Sequence, residues 1–355
     1  MALHVATVAA AAPPLALLSI AKRTTMNVLE RGGGLEVIRW FSRHTPRILV
    51  FHRFGLNDTP RTVSELTFER QIAFLKARFR IVPLDEIVAL RSAGGSMPPN
   101  LVAITVDDGY EDFYRHAYPV LRWHRVPATL FVVSRFAAGT LWLWPDLIQY
   151  AVEHTDRRDF TLDLGPKQGR WLLASQEDRF AAWSDIADHC LTLGPDGTRE
   201  VTTALLHALG VELPASPPPE LRASSWDQLR EMAAGGIDIG SHTRTHPRLS
   251  LLGQEDLHDE IDGSKREIEA QLSRPVVSFA YPHGGPGDFD DRCRRELAAS
   301  GYSCAVAGYY AKNVLGDPYA LKRLSVDRNW DDFLKAVYGV KHLARVLETR
   351  AIAES

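Results

Sequence analysis

The run Leu101-Val102-Ala103-Ile104-Thr105-Val106 is apolar at nearly every position and leads straight into Asp107-Asp108-Gly109. A strand that alternates polar and apolar residues keeps one face in water. A strand apolar on both faces has to be covered on both, which is the situation inside a parallel sheet flanked by helices. Two adjacent carboxylates at the end of such a strand repel each other unless a cation or an open mouth relieves them. Ligand sites in parallel α/β folds lie at the carboxyl ends of strands, where this pair falls. Gly109 permits the tight turn that aims both side chains inward. Alone, the segment also reads as an ordinary acidic turn.

From Arg47 onward the chain keeps the alternation that such a strand demands. Strand-like runs occur at Arg47–Phe51, Ala128–Val133, Ile237–Ile239, Val276–Tyr281, Ser303–Ala307 and Leu321–Val326. Between them lie helical patterns. Phe68, Ile72, Leu75 and Phe79 follow helical spacing with Thr67 as the expected N-cap, and Leu84–Arg91, Asp112–Trp123, Gln254–Leu272 and Phe289–Ser300 continue the series. Glu111 and Asp112 are expected to cap and charge the start of one helix, and Asp288, Asp290 and Asp291 that of another. The expectation is an α/β protein with a parallel sheet, either a barrel or a doubly wound sheet. Residues 139–222 break the rhythm and read as a mainly helical insertion closed by the proline-rich loop Pro214–Pro219. The main domain is placed at 46–345, after a leader and N-terminal helical segment at 1–45 and before a tail at 346–355.

A net charge of −3 with no dense Lys/Arg run excludes a nucleic-acid footprint. Three cysteines without CxxC pairing point to a reduced state and not to a zinc knuckle. The first twenty residues are almost all apolar but lack a basic start, and Pro13-Pro14 divides them before Lys22 and Arg23. That pattern fits neither a signal peptide nor a spanning helix well, and translation from Met26 is an alternative. A cytoplasmic or membrane-associated location is expected. Oligomeric state is not legible.

The second chemistry-bearing segment is Ser241-His242-Thr243-Arg244-Thr245-His246-Pro247, directly after a strand. Two imidazoles four residues apart can meet one metal ion, and Pro247 places them on a loop or single turn. An isolated HxxxH is more often a polar surface loop. Two histidines and a carboxylate at strand ends, however, make a three-ligand site that leaves positions open for water and substrate. The second carboxylate is then available to accept a proton.

The order TVDDG, HTRTH and FAYPHG, together with Pro127-Ala128-Thr129-Leu130-Phe131, resembles the polysaccharide deacetylase family, also called the NodB-homology or carbohydrate esterase 4 group, and within it the exopolysaccharide-type branch. The resemblance covers about residues 46–135 and 225–330. It implies a distorted (β/α) barrel and an Asp-His-His metal site, with Asp107 as general base and Asp108, His242 and His246 as ligands of one divalent ion. Zinc is the expected metal, with nickel or cobalt able to fit similar ligands. It further implies hydrolysis of an N-acetyl group on a sugar in a glycan or glycan precursor, with the oxyanion stabilised by backbone N–H groups near Pro282-His283-Gly284.

Three departures from the family pattern stand out. Ala280 occupies the place of the arginine that orients the base, and Arg323 is the candidate replacement. His283 replaces the usual tyrosine. The late Leu-x-His motif of the general acid is missing, and His52, in Phe51-His52-Arg53, is the candidate acid. Trp142 and Trp144 are candidates for a sugar-stacking platform or for packing within the insertion. Other readings are a hydrolase of a small cyclic amide or ureide, a non-catalytic glycan-binding relative, and a non-haem iron oxygenase, whose facial triad uses the same residue types but usually in an all-β jelly roll.

Overall fold

The computed structural model describes residues 32–340 apart from 166, 312 and 327; the expected leader at 1–25 and tail at 346–355 lie outside the described residues. Eight strands in chain order form a nearly closed parallel barrel: β1 (Arg47–Phe51), β2 (Leu101–Val106), β3 (Ala128–Val132), β4 (Ile237–Ser241), β5 (Ser278–Ala280), β6 (Cys304–Ala307), β7 (Leu321–Lys322) and β8 (Leu324–Ser325). Around the sheet they run β7-β6-β5-β4-β3-β2-β1-β8. A short ninth strand, Arg80–Ile81, pairs with the start of β2. The alternative of a doubly wound sheet is set aside, because no strand order reverses around the sheet.

The single strand expected over Leu321–Val326 is two strands. Leu321 pairs with Val306 at one end of the sheet, and Leu324 pairs with Leu49 at the other. Arg323 alone separates them, so the chain itself bridges the seam of the barrel.

Alternation along each strand explains why both faces are apolar. Ile48, Leu101, Ala103, Phe131, Ala280 and Val306 belong to an interior cluster. Leu49, Val102, Ile104 and Val106 belong to the larger cluster that also contains the helical residues Phe68, Ile72 and Leu75. By the same parity Asp107 follows Leu101, Ala103 and Thr105, and Arg323 follows Leu321, toward the barrel axis.

Several helices begin or bend differently from the periodic reading. The first long one is Glu65–Arg78, capped by Ser64, whose hydroxyl accepts from the Thr67 N–H at 3.2 Å. Thr67 instead donates its hydroxyl to Asp58 at 2.7 Å. The segment after the DDG turn opens with a π-helical turn, Phe113–Ala117, before the α-helix Tyr118–His124. Pro119 has no N–H to give an α-type bond there. Asp112 forms no cap; it accepts from Arg53 at 2.6 Å. A second π-helical turn, Asp259–Gly263, interrupts the expected helix 254–272. Asp290 does cap its helix, accepting from the N–H groups of Arg292 and Cys293. The run Arg292, Arg294 and Arg295 reads in the sequence as a solvated helix face, but Arg292 donates to the Ser250 and Leu252 carbonyls and Arg294 to Asp317.

The 139–222 segment contains helices α1 (Trp144–Glu153), α2 (Gln176–Cys190) and α3 (Pro195–Leu209). It also contains an antiparallel hairpin, Asp159–Leu164 with Lys167–Leu172, which the helical expectation omitted. Its signal was legible: Phe160, Leu162 and Leu164 alternate with exposed residues. These side chains join Ile148, Trp171, Ile186 and Leu205 in a separate hydrophobic cluster. All three cysteines are free and buried. Among the described residues, no helix is long and apolar enough to cross a membrane.

Candidate active site

Four loops at the carboxyl ends of β1, β2, β4 and β5, with the seam between β7 and β8, converge on one point. Asp107 and Arg323 are 3% and 2% exposed, and they form a bidentate pair with N–O distances of 2.7 and 2.6 Å. Arg323 also donates to the Ala307 carbonyl at 3.0 Å and the Thr105 hydroxyl at 3.2 Å. Burial alone would raise the Asp107 carboxyl. The Arg323 guanidinium, with His242 and His52 nearby, outweighs it and holds the pKa below the ordinary carboxylate value. Ala280 lies in the same interior cluster with only a methyl to offer, so the guanidinium reaches the acid from the seam instead of from β5.

Asp108 turns the other way. Its backbone is left-handed, at φ 73°, and so is that of Gly109, at 86°. A β-carbon on Gly109 would meet Val132 at 3.0 Å, so both the conformation and the space call for glycine. Asp108 Oδ1 lies 3.5 Å from His242 Nε2 and 3.5 Å from His246 Nε2. Three ligand atoms about 2.1 Å from a common tetrahedral centre would lie about 3.4 Å apart, so the spacing fits a cation held between them. His242 Nδ1 meets the Ala280 carbonyl at 2.7 Å, which holds a proton on that nitrogen and turns Nε2 toward Asp108; against burial, Asp108 raises the imidazole pKa, and a cation between the two would displace the Nε2 proton. Burial, and then the charge of His242, pushes His246 well below the usual imidazole range, which keeps it neutral as a ligand must be. These three residues form a candidate metal cluster among the described residues.

The HxxxH loop owes its shape to a residue the sequence reading missed. Thr243 and His246 both have left-handed backbones, at φ 71° and 65°, a conformation unfavourable for a β-branched residue. Glu260, on the π-helical turn, accepts from the Arg244 and Thr245 N–H groups at 2.8 and 3.0 Å and from the Thr245 hydroxyl at 2.6 Å. Its only sequence signal was a charge on the inward side of an amphipathic helix.

His52 sits at the mouth with its side chain 51% exposed, its Nε2 3.9 Å from Asp107 Oδ2. His283 lies behind the metal cluster, its ring centroid 4.9 Å from that of His246 and 5.7 Å from that of Trp144. Burial, and then the charge of His242, lowers its pKa to about 4. In the Pro282-His283-Gly284 turn, proline has no N–H and the Gly284 N–H is donated to the Pro282 carbonyl at 2.6 Å. The His283 N–H is therefore the donor this turn leaves free among the described residues.

The insertion supplies one further group that the sequence did not single out. Asp146 is buried and accepts from the Tyr110 hydroxyl, with its two oxygens 3.0 and 2.9 Å away. Burial, reinforced by the nearby charge of Asp108, pushes its carboxyl up to about 7. Arg53 stacks 3.7 Å over the Tyr110 ring, so β1, the DDG turn and α1 are tied together. Trp144 lies against His283, whereas Trp142 packs edge-on to Tyr150 at 5.5 Å.

The sequence profile of polysaccharide deacetylases matches residues 94–184 and 186–305, more than half of the chain. Poly-beta-1,6-N-acetyl-D-glucosamine N-deacetylase from Staphylococcus aureus (strain MSSA476) is 35% identical over 74 residues, covering 21% of this chain and 25% of that protein. The match thus spans about a quarter of that relative's length. Among solved structures, IcaB from Ammonifex degensii is similar at a TM-score of 0.54 and 19% identity, covering 82% of this chain and 95% of the other. The Streptococcus pyogenes deacetylase PplD in complex with acetate gives 0.52 and 17%, covering 84% and 96%. At these identities the likeness to the two structures is one of fold.

Proposed function

The chain belongs to the polysaccharide deacetylase family, and on that premise we propose that it removes an N-acetyl group from an N-acetylated sugar in a polysaccharide or glycan precursor. The observation that carries this reading is the division of labour between two adjacent carboxylates. Asp107 is locked on Arg323, while Asp108 faces two imidazoles at metal-ligand spacing.

Asp108, His242 and His246 would hold one divalent ion, zinc by ligand type. Such an ion supplies Lewis acidity toward the acetamide carbonyl and brings the pKa of water toward neutrality. Asp107 is the general base. Both of its oxygens bond Arg323, yet each keeps a second lone pair for the proton of the attacking water. The His283 N–H stabilises the oxyanion that develops on the carbonyl. His52, across from Asp107 at the mouth, protonates the leaving amine. Arg323 touches no substrate; it orients the base and keeps it ionised.

The test is acetate release from N-acetylglucosamine oligomers by metal-loaded protein, run beside Asp107→Asn and His242→Ala. Release is expected to vanish in both variants, with metal retained in Asp107→Asn and lost in His242→Ala. Tight metal binding without release from any acetylated glycan would instead favour a small cyclic amide or ureide. Protein that binds no metal would refute the site assignment. The iron-oxygenase alternative, suggested by the two-histidine, one-carboxylate set, is disfavoured by the parallel barrel, because such sites usually sit in an all-β jelly roll.

A further inference from the structure

The cleft at the metal cluster has two lobes of opposite chemistry, and helix α1 is the ridge between them. On one side Asp146 and Gln149 join His52, Arg53, Arg61 and Arg328 around a cavity of about 410 Å³ that reaches Asp108. On the other side Trp144 and Leu147 join Trp142, Leu191, Leu193 and Pro247 around a cavity of about 310 Å³, with His246 and His283 in its wall.

The hydroxyl groups that reach the second lobe are already engaged and its guanidinium groups partly so; among the described residues the buried Nδ1 of His246 has no hydrogen-bond partner. The Thr198 hydroxyl donates to the Cys190 carbonyl at 3.3 Å, that of Thr202 to the Thr198 carbonyl at 2.9 Å, and that of Thr245 to Glu260 at 2.6 Å. Arg248 donates to the Leu191 and Gly287 carbonyls at 2.9 and 3.0 Å, and Arg199 pairs with Asp196 at 2.8 Å. A pyranose placed here would bury several hydroxyls with few partners, which is unfavourable; an alkyl chain carries no such penalty. The first lobe, with its arginines, Gln149 and Asp146, offers what sugar hydroxyls need.

We propose that the apolar lobe holds the acyl chain of the amide, so that N-acyl groups longer than acetyl are the better substrates. This rests on the amide-hydrolase reading above. In that reading the leaving nitrogen faces His52, which lines the polar lobe, and the carbonyl oxygen faces the His283 N–H. The remaining substituent of the carbonyl carbon then points away from the polar lobe, past His246 and His283 into the apolar one. The reaction stays a hydrolysis: the C–N bond breaks, water oxygen bonds the acyl carbon, the chain leaves as a carboxylate and the amine leaves protonated. An acetyl methyl leaves most of this space unfilled, since an apolar cavity of about 150 Å³ already admits benzene.

The test is free-amine release from N-acetyl, N-butyryl and N-hexanoyl glucosamine by the metal-loaded protein. kcat/KM is expected to rise about fourfold per methylene, the transfer free energy of one buried CH₂. Leu193→Trp, which fills the lobe, is expected to abolish that rise. Inhibition of the unmodified protein by hexanoate and by acetate reads the same lobe without any variant, and hexanoate is expected to bind tighter. A fall in kcat/KM from N-acetyl onward would overturn the proposal and leave the deacetylase reading intact. So would a larger gain from an octyl aglycone on N-acetylglucosamine than from N-hexanoyl, which would assign the lobe to the aglycone. No amine release from any substrate would instead overturn the amide-hydrolase reading itself.

Discussion

Replacing Arg323 by methionine isolates the interaction on which the whole centre depends. The variant removes two charge-assisted hydrogen bonds, at 2.7 and 2.6 Å, from a carboxylate only 3% exposed, and leaves the Ala307 carbonyl without its donor. Breaking one side of a buried pair costs about 3–5 kcal/mol, because the remaining charge is uncompensated. Protonation of Asp107 caps that cost, at about 1.4 kcal/mol for each pH unit by which the solution lies above the ordinary carboxyl value of 3.8. The sign of the pH dependence follows. In the unmodified protein the folded pKa of Asp107 lies below 3.8, so the pair stabilises above that pH and the contribution is lost as pH falls through the lower folded value. In Arg323→Met burial acts unopposed and raises the pKa. The stability deficit should therefore be greatest at neutral pH and shrink toward pH 4. Urea unfolding of metal-free protein at pH 7.5 and pH 4.5 measures it, with Asp107→Leu and the double variant completing the cycle. The double variant should recover most of the loss, since an apolar pair of similar volume is tolerated, but none of the activity. A cost below about 1 kcal/mol at pH 7.5, or the same cost with and without Asp107, would refute the argument.

Three further outcomes are expected. His52→Gln should lower kcat about 100-fold or more with metal content unchanged, read by acetate release beside metal analysis. Asp146→Asn should stabilise the fold at pH 8 by up to about 4 kcal/mol and not at pH 4. The reason is that a carboxyl lifted from 3.8 to about 7 favours the protonated folded form, so its penalty grows as pH rises between those values; thermal melts at the two pH values check this. Gly284→Ala should cost about 2 kcal/mol and most of the activity, because φ is +66° and a β-carbon would lie 2.4 Å from the Gly308 nitrogen; the readout is the urea midpoint beside the hydrolysis rate.

What the sequence alone determined is what local chemistry controls. The apolar run into Asp107-Asp108-Gly109 and the His242–His246 spacing each lie on one strand end, and a parallel barrel brings strand ends of one polarity together. The strands were legible for the same reason, since burial on both faces leaves an apolar run whatever its neighbours are. Parity within a strand also points Asp107 inward without further information. Other features depended on closure in three dimensions. Leu321–Val326 reads as one strand because its residues are strand-like throughout; only the curl of the sheet puts Leu321 beside Val306 and Leu324 beside Leu49 and leaves Arg323 at the seam. That position at the seam is what pairs it with Asp107. The support of the HxxxH loop by Glu260, and the bond between Asp146 and Tyr110, link residues distant in sequence. So does the split of the cleft by α1, which puts Trp144 on one side and Asp146 on the other. A hydrogen bond or cavity wall of that kind leaves no periodic trace in the chain, because its two halves are selected only by their meeting in space.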